Sequence, residues 1–240
     1  MLIEYKRKFN LRINDFDCHD NILMSTVLDL FQGVAGDHAN ILGIGFEEFK
    51  KKNKLWVVIR TKFEVYKQPI EEETITVRTW PLVPGKIDAN RCYEVFSENG
   101  EVLIRGISKW VNVDMNSRRI LRMNDWTYGE GEFDDDYGLT SCFDKIQNFD
   151  SSNGPIRVTP SYLDLDHNGH INNSKYTNFI LNNVKELHDK EIIFCQIEHI
   201  SELKKDQTFD LYYTIKDKEF LVKGVVEDSI SFIAKIRVKY

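Results

Sequence analysis

From position 164 to 176 the chain reads Asp-Leu-Asp-His-Asn-Gly-His-Ile-Asn-Asn-Ser-Lys-Tyr, which sets Asp166, Asn168 and His170 at alternate positions just before an amphipathic run. A carboxylate, an amide and an imidazole at the start of a helix, beside unpaired backbone N–H groups, are suited to stabilising a negatively charged transition state. The plain alternative is that Asp166 only caps the helix, a position that Asp and Asn favour. A calcium loop is a decoy. Asp164, Asp166, Asn168, Gly169 and Ile171 match the early positions of an EF-hand loop, but Lys175 stands where a bidentate Glu is required, and the upstream Gly154–Pro160 reads as a strand rather than an entering helix. His167 and His170 have Glu198 and His199 only on a distant strand with no fixed spacing, so no metal ligand set is assigned and no cofactor is expected.

The elements that must position this loop emerge when the chain is laid against itself. A shift of 149 residues sets Asp17-Cys18-His19-Asp20-Asn21-Ile22 against Asp166-His167-Asn168-Gly169-His170-Ile171, with Ser25 on Ser174. Each segment leads into a helical pattern, carried by Leu23, Val27, Leu30, Phe31, Val34 and His38 in the first copy and by Tyr176, Phe179, Ile180, Val184 and Leu187 in the second. Strand patterns follow at Trp56–Tyr66, Thr74–Trp80, Cys92–Ser97 and Val102–Val113, the last two joined by a hairpin signal at Glu98-Asn99-Gly100. They recur in order at Ile192–Ile200, Phe209–Ile215, Phe220–Val226 and Ser231–Val238. A shift of 134 aligns Glu64 with Glu198, Gln68 with Glu202 and Thr74 with Thr208, so the second copy has a shorter helix-to-strand connection.

Between the copies, Thr127–Ser152 carries Gly129, Gly131, Gly138 and Asp134-Asp135-Asp136 with little periodicity, and reads as a surface linker. The expected organisation is residues 1–126, a linker over 127–152, and 153–240 with the chemistry. A helix apolar on much of its circumference needs a sheet curled around it. The expected fold is therefore α+β, two tandem hotdog repeats, each a long helix wrapped by an antiparallel sheet.

Composition excludes several function classes. At 240 residues, 42% hydrophobic and 29% charged, the sequence is that of a globular protein, and no apolar stretch reaches membrane-spanning length. Met1–Arg12 alternates like a strand and lacks the apolar core of a signal peptide, so a cytoplasmic location is expected. Cys18, Cys92, Cys142 and Cys195 form no Cys-x-x-Cys pair and read as free thiols. A formal charge of −6 disfavours nucleic acid as a partner, while Lys50, Lys51, Lys52, Lys54, Arg118, Arg119 and Arg122 form local basic clusters that could meet an acidic one or simply be a solvated surface.

The residues also resemble a known family over nearly the whole length. Gln32, Ala35, His38-Ala39, Leu42-Gly43, Thr79-Trp80-Pro81, Ser108-Lys109-Trp110, Asp114 and Arg118-Arg119 in the first half, and Asp164 through Tyr176 in the second, are similar to the acyl-acyl carrier protein thioesterases of bacteria and plants. The resemblance implies catalytic roles for Asp166, Asn168 and His170, with a downstream acid that falls on Glu202, and a first-half helix that lines the acyl pocket. In the plant segment the acid is followed by cysteine, whereas here Leu203 follows, which favours direct attack by water. Thiol release at a pKa near 8.5 needs little protonation, so the harder tasks are activating water and holding the oxyanion. Glu202 is then expected as the base, Asn168 as holder of water or carbonyl, His170 as orienter or oxyanion donor, and Asp166 as the residue that fixes the loop.

The first copy sets His19, Asn21 and Gln68 opposite Asn168, His170 and Glu202, so a single active site is expected. His38 reads as a structural histidine, and Trp56, Trp80 and Trp110 as core. The expected activity is hydrolysis of acyl-acyl carrier protein to fatty acid and carrier thiol. An acyl-CoA thioesterase, a hotdog dehydratase and a silent acyl-binding protein stay open, as does a homodimer through sheet edges.

Overall fold

A computed structural model describes residues 3–123, 132–134, 136–139, 142–166 and 169–239. Ten strands form one antiparallel sheet: β1 (Tyr5–Asn10), β2 (Lys54–Val65), β3 (Thr74–Pro81), β4 (Asp88–Phe96), β5 (Val102–Asp114), β6 (Asn153–Val158), β7 (Glu191–His199), β8 (Phe209–Lys216), β9 (Glu219–Val226) and β10 (Ser229–Lys239). Their lateral order is β1-β3-β4-β5-β2-β7-β10-β9-β8-β6. Read outward from the β2–β7 seam, the two halves repeat one topology, strand for strand. Each half carries one longer helix, α1 (Met24–Ile41) and α3 (Lys175–Asn183), and a short α2 (Phe46–Lys51) follows α1.

Alternation of buried residues places one sheet face inward, as with Ile75, Val77 and Thr79 on β3. Helix α1 buries Val27, Leu28, Leu30, Phe31, Val34, Ala35 and His38 against that face. Phe31 stacks on Tyr93 at 4.1 Å between ring centroids and meets Phe63 edge-on at 6.5 Å. The helix approaches so closely that a β-carbon at Gly106 would overlap the Phe31 ring, and glycine is required there for that reason. One hydrophobic core runs through both halves and includes Val34 of α1, Ile180 of α3 and Ile197 of β7.

One expectation needs correcting. The helical pattern ending at Leu187 breaks earlier. Asn183 turns its side-chain amide onto the Phe179 carbonyl at 2.8 Å, Val184 leaves helical geometry at φ −102°, ψ 86°, and Lys185–Leu187 form a 3₁₀ turn. The segment expected as a linker over the surface is hydrogen-bonded to the other sheet face where it is described. Lys62 Nζ donates to the Cys142 carbonyl at 3.1 Å, the Ile146 N–H to Glu198 Oε1 at 3.2 Å, and Trp80 Nε1 to the Asp136 carbonyl at 3.0 Å. That face buries charge at Lys62 and Glu198, and buried charge demands partners.

Candidate active site

The loop before α3 is shaped by one carboxylate. Asp166 Oδ1 accepts the His170 N–H at 3.0 Å, and the Asp166 N–H donates to the His170 carbonyl at 2.7 Å. Flanking them, Leu165 and Ile171 form an isolated antiparallel bridge, and Gly169 takes the left-handed conformation at φ +79°. The first repeat builds the same loop: Asp17 Oδ1 accepts the Asn21 N–H at 2.9 Å, the Asp17 N–H returns to the Asn21 carbonyl at 2.9 Å, and Phe16 bridges Ile22. Asp166 is therefore a loop-forming residue in a structural device present twice. Asn168, expected in this site, lies outside the described residues.

The second contributor arrives from beyond β7. Ile200 and Ser201 both donate their N–H groups to the Ser231 carbonyl, at 2.8 and 3.0 Å, and Ser231 Oγ donates to the Ser201 carbonyl at 2.7 Å. Leu203 is fully buried, and its N–H donates to the Tyr176 hydroxyl at 3.3 Å. Held on both sides, Glu202 places Oε1 2.7 Å from His170 Nδ1. The structure thus brings together two of the four expected residues across the two segments, and Asp166 supports one of them. An ionised carboxylate only accepts, so Nδ1 carries the proton in this contact and Nε2 of a neutral ring is left as its acceptor.

In the first repeat the corresponding groups do something else. Gln68 Oε1 accepts the Ile22 N–H at 3.1 Å, Asn21 turns its amide onto Asp17, and His19 pairs through Nε2 with Asp189. No carboxylate faces the Asn21 side chain from the Gln68 position, because that residue is an amide.

Asp166, His170 and Glu202 open on a cavity of about 480 Å³. Its walls come largely from the first repeat: the C-terminal half of α1, α2 with Phe46 and Phe49, the start of β2, Ala89 to Arg91 of β4, and Trp110. Of the three tryptophans expected in the core, Trp80 is buried there, whereas Trp56 and Trp110 line this cavity. Trp56 stacks on Phe49 at 5.5 Å and meets Trp110 edge-on at 6.4 Å. His38 is structural, as expected: Arg91 Nη1 donates to its Nδ1 at 3.0 Å, and burial beside that guanidinium pushes its pKa down to about 4.

Sequence reasoning gave Tyr176 no role beyond the helix face and weighed His199 only as a metal ligand, yet both line the cavity. Tyr176 reads as a core position, but its hydroxyl also anchors the backbone next to Glu202, and burial raises its pKa to about 12. His199 packs edge-on against that ring at 4.7 Å, and burial pushes its pKa down to about 4. The signal available for Tyr176 was its place directly after the polar loop. None of the four cysteines lines the cavity among the described residues. Cys92 and Cys195 are buried in the sheet, and burial raises both thiols, Cys195 to about 12. No group of His, Cys, Asp and Glu among the described residues could hold a metal ion.

Residues 3–129 match the acyl-ACP thioesterase N-terminal domain and residues 150–239 the acyl-ACP thioesterase C-terminal domain. A palmitoyl-acyl carrier protein thioesterase of Gossypium hirsutum is 29% identical over 228 residues, which cover 89% of this chain and 55% of the relative. An oleoyl-acyl carrier protein thioesterase of Coriandrum sativum is 24% identical, over 87% of this chain and 62% of the relative. The chain thus spans little more than half the length of these relatives. Among solved structures, an acyl-ACP thioesterase of Bacteroides thetaiotaomicron superposes with a TM-score of 0.87 at 19% identity, over 99% of this chain and 98% of that one. A 12:0-ACP thioesterase of Umbellularia californica gives the same score at 23% identity, over 99% and 97% of the two chains. Two tandem hotdog halves are therefore the fold, and this chain belongs to the acyl-ACP thioesterase family.

Proposed function

We propose that the protein hydrolyses the thioester of a fatty acyl chain carried on acyl carrier protein, releasing free fatty acid and carrier thiol, with water as the nucleophile. The observation that carries this reading is the 2.7 Å contact between His170 and Glu202 at the edge of a cavity with largely apolar walls. The pair accepts a proton from water as the oxygen attacks the thioester carbonyl. The tetrahedral intermediate then collapses, the C–S bond breaks, and the sulfur leaves as a thiolate needing little protonation, because the thiol pKa is near 8.5. Asp166 holds the loop, and Asn168 is assigned to the water or the carbonyl from its place in the motif. A thiol nucleophile is not needed: the residue after Glu202 is a buried leucine, and the buried thiols are held protonated. The names of the relatives support acyl carrier protein as the carrier.

Recognition of an acidic carrier by a chain of formal charge −6 requires local positive charge. The two basic clusters adjoin. The Met115 N–H donates to the Asn53 carbonyl at 3.0 Å, which brings the Arg118 turn beside Lys50, Lys51 and Lys52, and Arg118 itself lines the cavity. We assign carrier docking to this rim. The experiment compares thiol release from matched acyl chains on carrier protein and on CoA. Faster release from the carrier, weakened by salt more than release from a small thioester analogue, is the expected result. Preference for CoA would make the protein an acyl-CoA thioesterase, and no release from either would make it an acyl-binding protein.

A further inference from the structure

Behind the wall of the main cavity lies a recess of about 10 Å³, roughly the room that one water-sized group needs. Trp110, Asn173 and His199 line both spaces, whereas Thr61, Tyr93 and Ser108 line the recess alone. Asn173 stands three residues after His170, and His199 three before Glu202. Even a fully extended chain spans no more than about 10 Å over three residues, so the recess sits beside the His170–Glu202 contact.

The groups around it have hydrogen-bonding capacity left over. Trp110 Nε1 donates to Ser108 Oγ at 2.6 Å, and Ser108 Oγ lies 2.7 Å from the Tyr93 hydroxyl. These three groups carry three protons. The first contact uses the indole proton and the second uses one hydroxyl proton, whichever oxygen gives it. One O–H of the Ser108–Tyr93 pair therefore has no acceptor among the described residues. Burial raises the Tyr93 pKa to about 12, which keeps the phenol protonated. His199 has the complementary need: its buried Nδ1 has no hydrogen-bond partner among the described residues, and a neutral imidazole offers one acceptor nitrogen. An apolar stretch of substrate would leave both unmatched. A hydroxyl accepts and donates at once, and it has the size of the recess.

We propose that this recess is an oxygen subsite, and that the protein takes acyl chains carrying a hydroxyl on one of the first several carbons from the thioester, a proposal that rests on the thioesterase reading above. The unspent O–H of the Ser108–Tyr93 pair donates to the substrate hydroxyl, which in turn donates to the acceptor nitrogen of His199. Two matched hydrogen bonds should raise kcat/KM roughly tenfold over the unsubstituted chain, whereas a hydroxyl buried without partners would lower it about 10- to 100-fold. The sign of the difference therefore decides.

The experiment measures kcat/KM for carrier thioesters of one chain length, unsubstituted or bearing an R or S hydroxyl at carbon 3, 5 or 7 or at the chain end, together with calorimetric binding of the corresponding free acids. Because the recess lies on one wall, one configuration at one of the inner positions should exceed the unsubstituted chain roughly tenfold, with no gain at the chain end. In His199→Phe, which removes the acceptor, that ratio should fall to one or below, and in His199→Gln, which keeps an acceptor, part of it should survive. An unsubstituted chain that equals or outperforms every hydroxylated one in the wild-type protein overturns the subsite and leaves hydrolysis standing, and this comparison needs no variant to fold. A ratio unchanged in folded His199→Phe overturns it as well. Free hydroxy acids that bind with the expected preference while no thioester is cleaved would uphold the subsite and remove the enzymatic reading.

Discussion

Asp17 and Asp166 make the same hydrogen bonds in the same loop, yet only the second is followed by His170 and faced by Glu202. The carboxylate thus builds the loop in either repeat, and the proposed chemistry enters with the pair. Replacing Glu202 by Gln leaves the fold intact, because Ser201 and Leu203 hold the backbone on both sides. It should lower kcat by about 10²- to 10⁴-fold. If the pair works as a unit, the double variant Glu202→Gln with His170→Asn loses no more than the worse single variant, a non-additivity that steady-state kinetics would show directly. Full additivity would mean two independent roles. Asp166, Asn168 and His170 stood out because three polar side chains before a helix are hard to explain by folding alone, whereas Glu202 was reached only through the resemblance to the family. Tyr176 was not legible as an anchor, since an aromatic residue on a helix face is ordinarily core and its hydroxyl partner is a backbone N–H contributed by a distant turn.

Most strands follow the alternation of the sequence closely, whereas the helices diverge between repeats. The two sequence shifts differ by 15 residues, and the structure spends that difference on the longer α1 and on α2, both of which wall the cavity. That Trp56 and Trp110 face this space could not be read from pattern, because a cavity-facing position on a strand has the same alternation as a core-facing one. Buried histidines link these elements to pH. His38 of α1 and His199 of β7 both titrate near 4 in the native protein, against about 6.5 when unfolded. Between those values the unfolded chain binds more protons, so stability is complete above pH ~6.5 and falls as pH drops toward ~4, by up to about 3 kcal/mol for each histidine. Urea midpoints measured across this window should fall in the wild-type protein and fall less in His38→Gln. Equal slopes would show that His38 is not held neutral.

Continuity of the sheet through β2 and β7 makes the halves one mechanical body with one core. At the seam, Arg60 Nη2 lies 2.9 Å from Glu198 Oε2, while Glu198 Oε1 accepts from Gln196 and from the linker N–H of Ile146. Removing that carboxylate in Glu198→Ala leaves donors unmatched on both repeats and on the linker, and should cost about 2–3 kcal/mol because Arg60 keeps some access to water. Calorimetry should still show one transition. Two separated transitions would mean that the seam does not couple the halves. Nothing in the sequence marks this network, since Arg60 and Glu198 are far apart along the chain and each looks like an ordinary surface charge.

Joining two copies of a unit in one polypeptide also changes what can vary. In a symmetric pair of identical subunits, any lengthened helix or altered side chain appears in both places at once. Here α1 and α2 are extended on one side only, and the glutamate stands on the other, so the copy that shapes the chamber and the copy that supplies the His170–Glu202 pair are free to drift apart under separate selection.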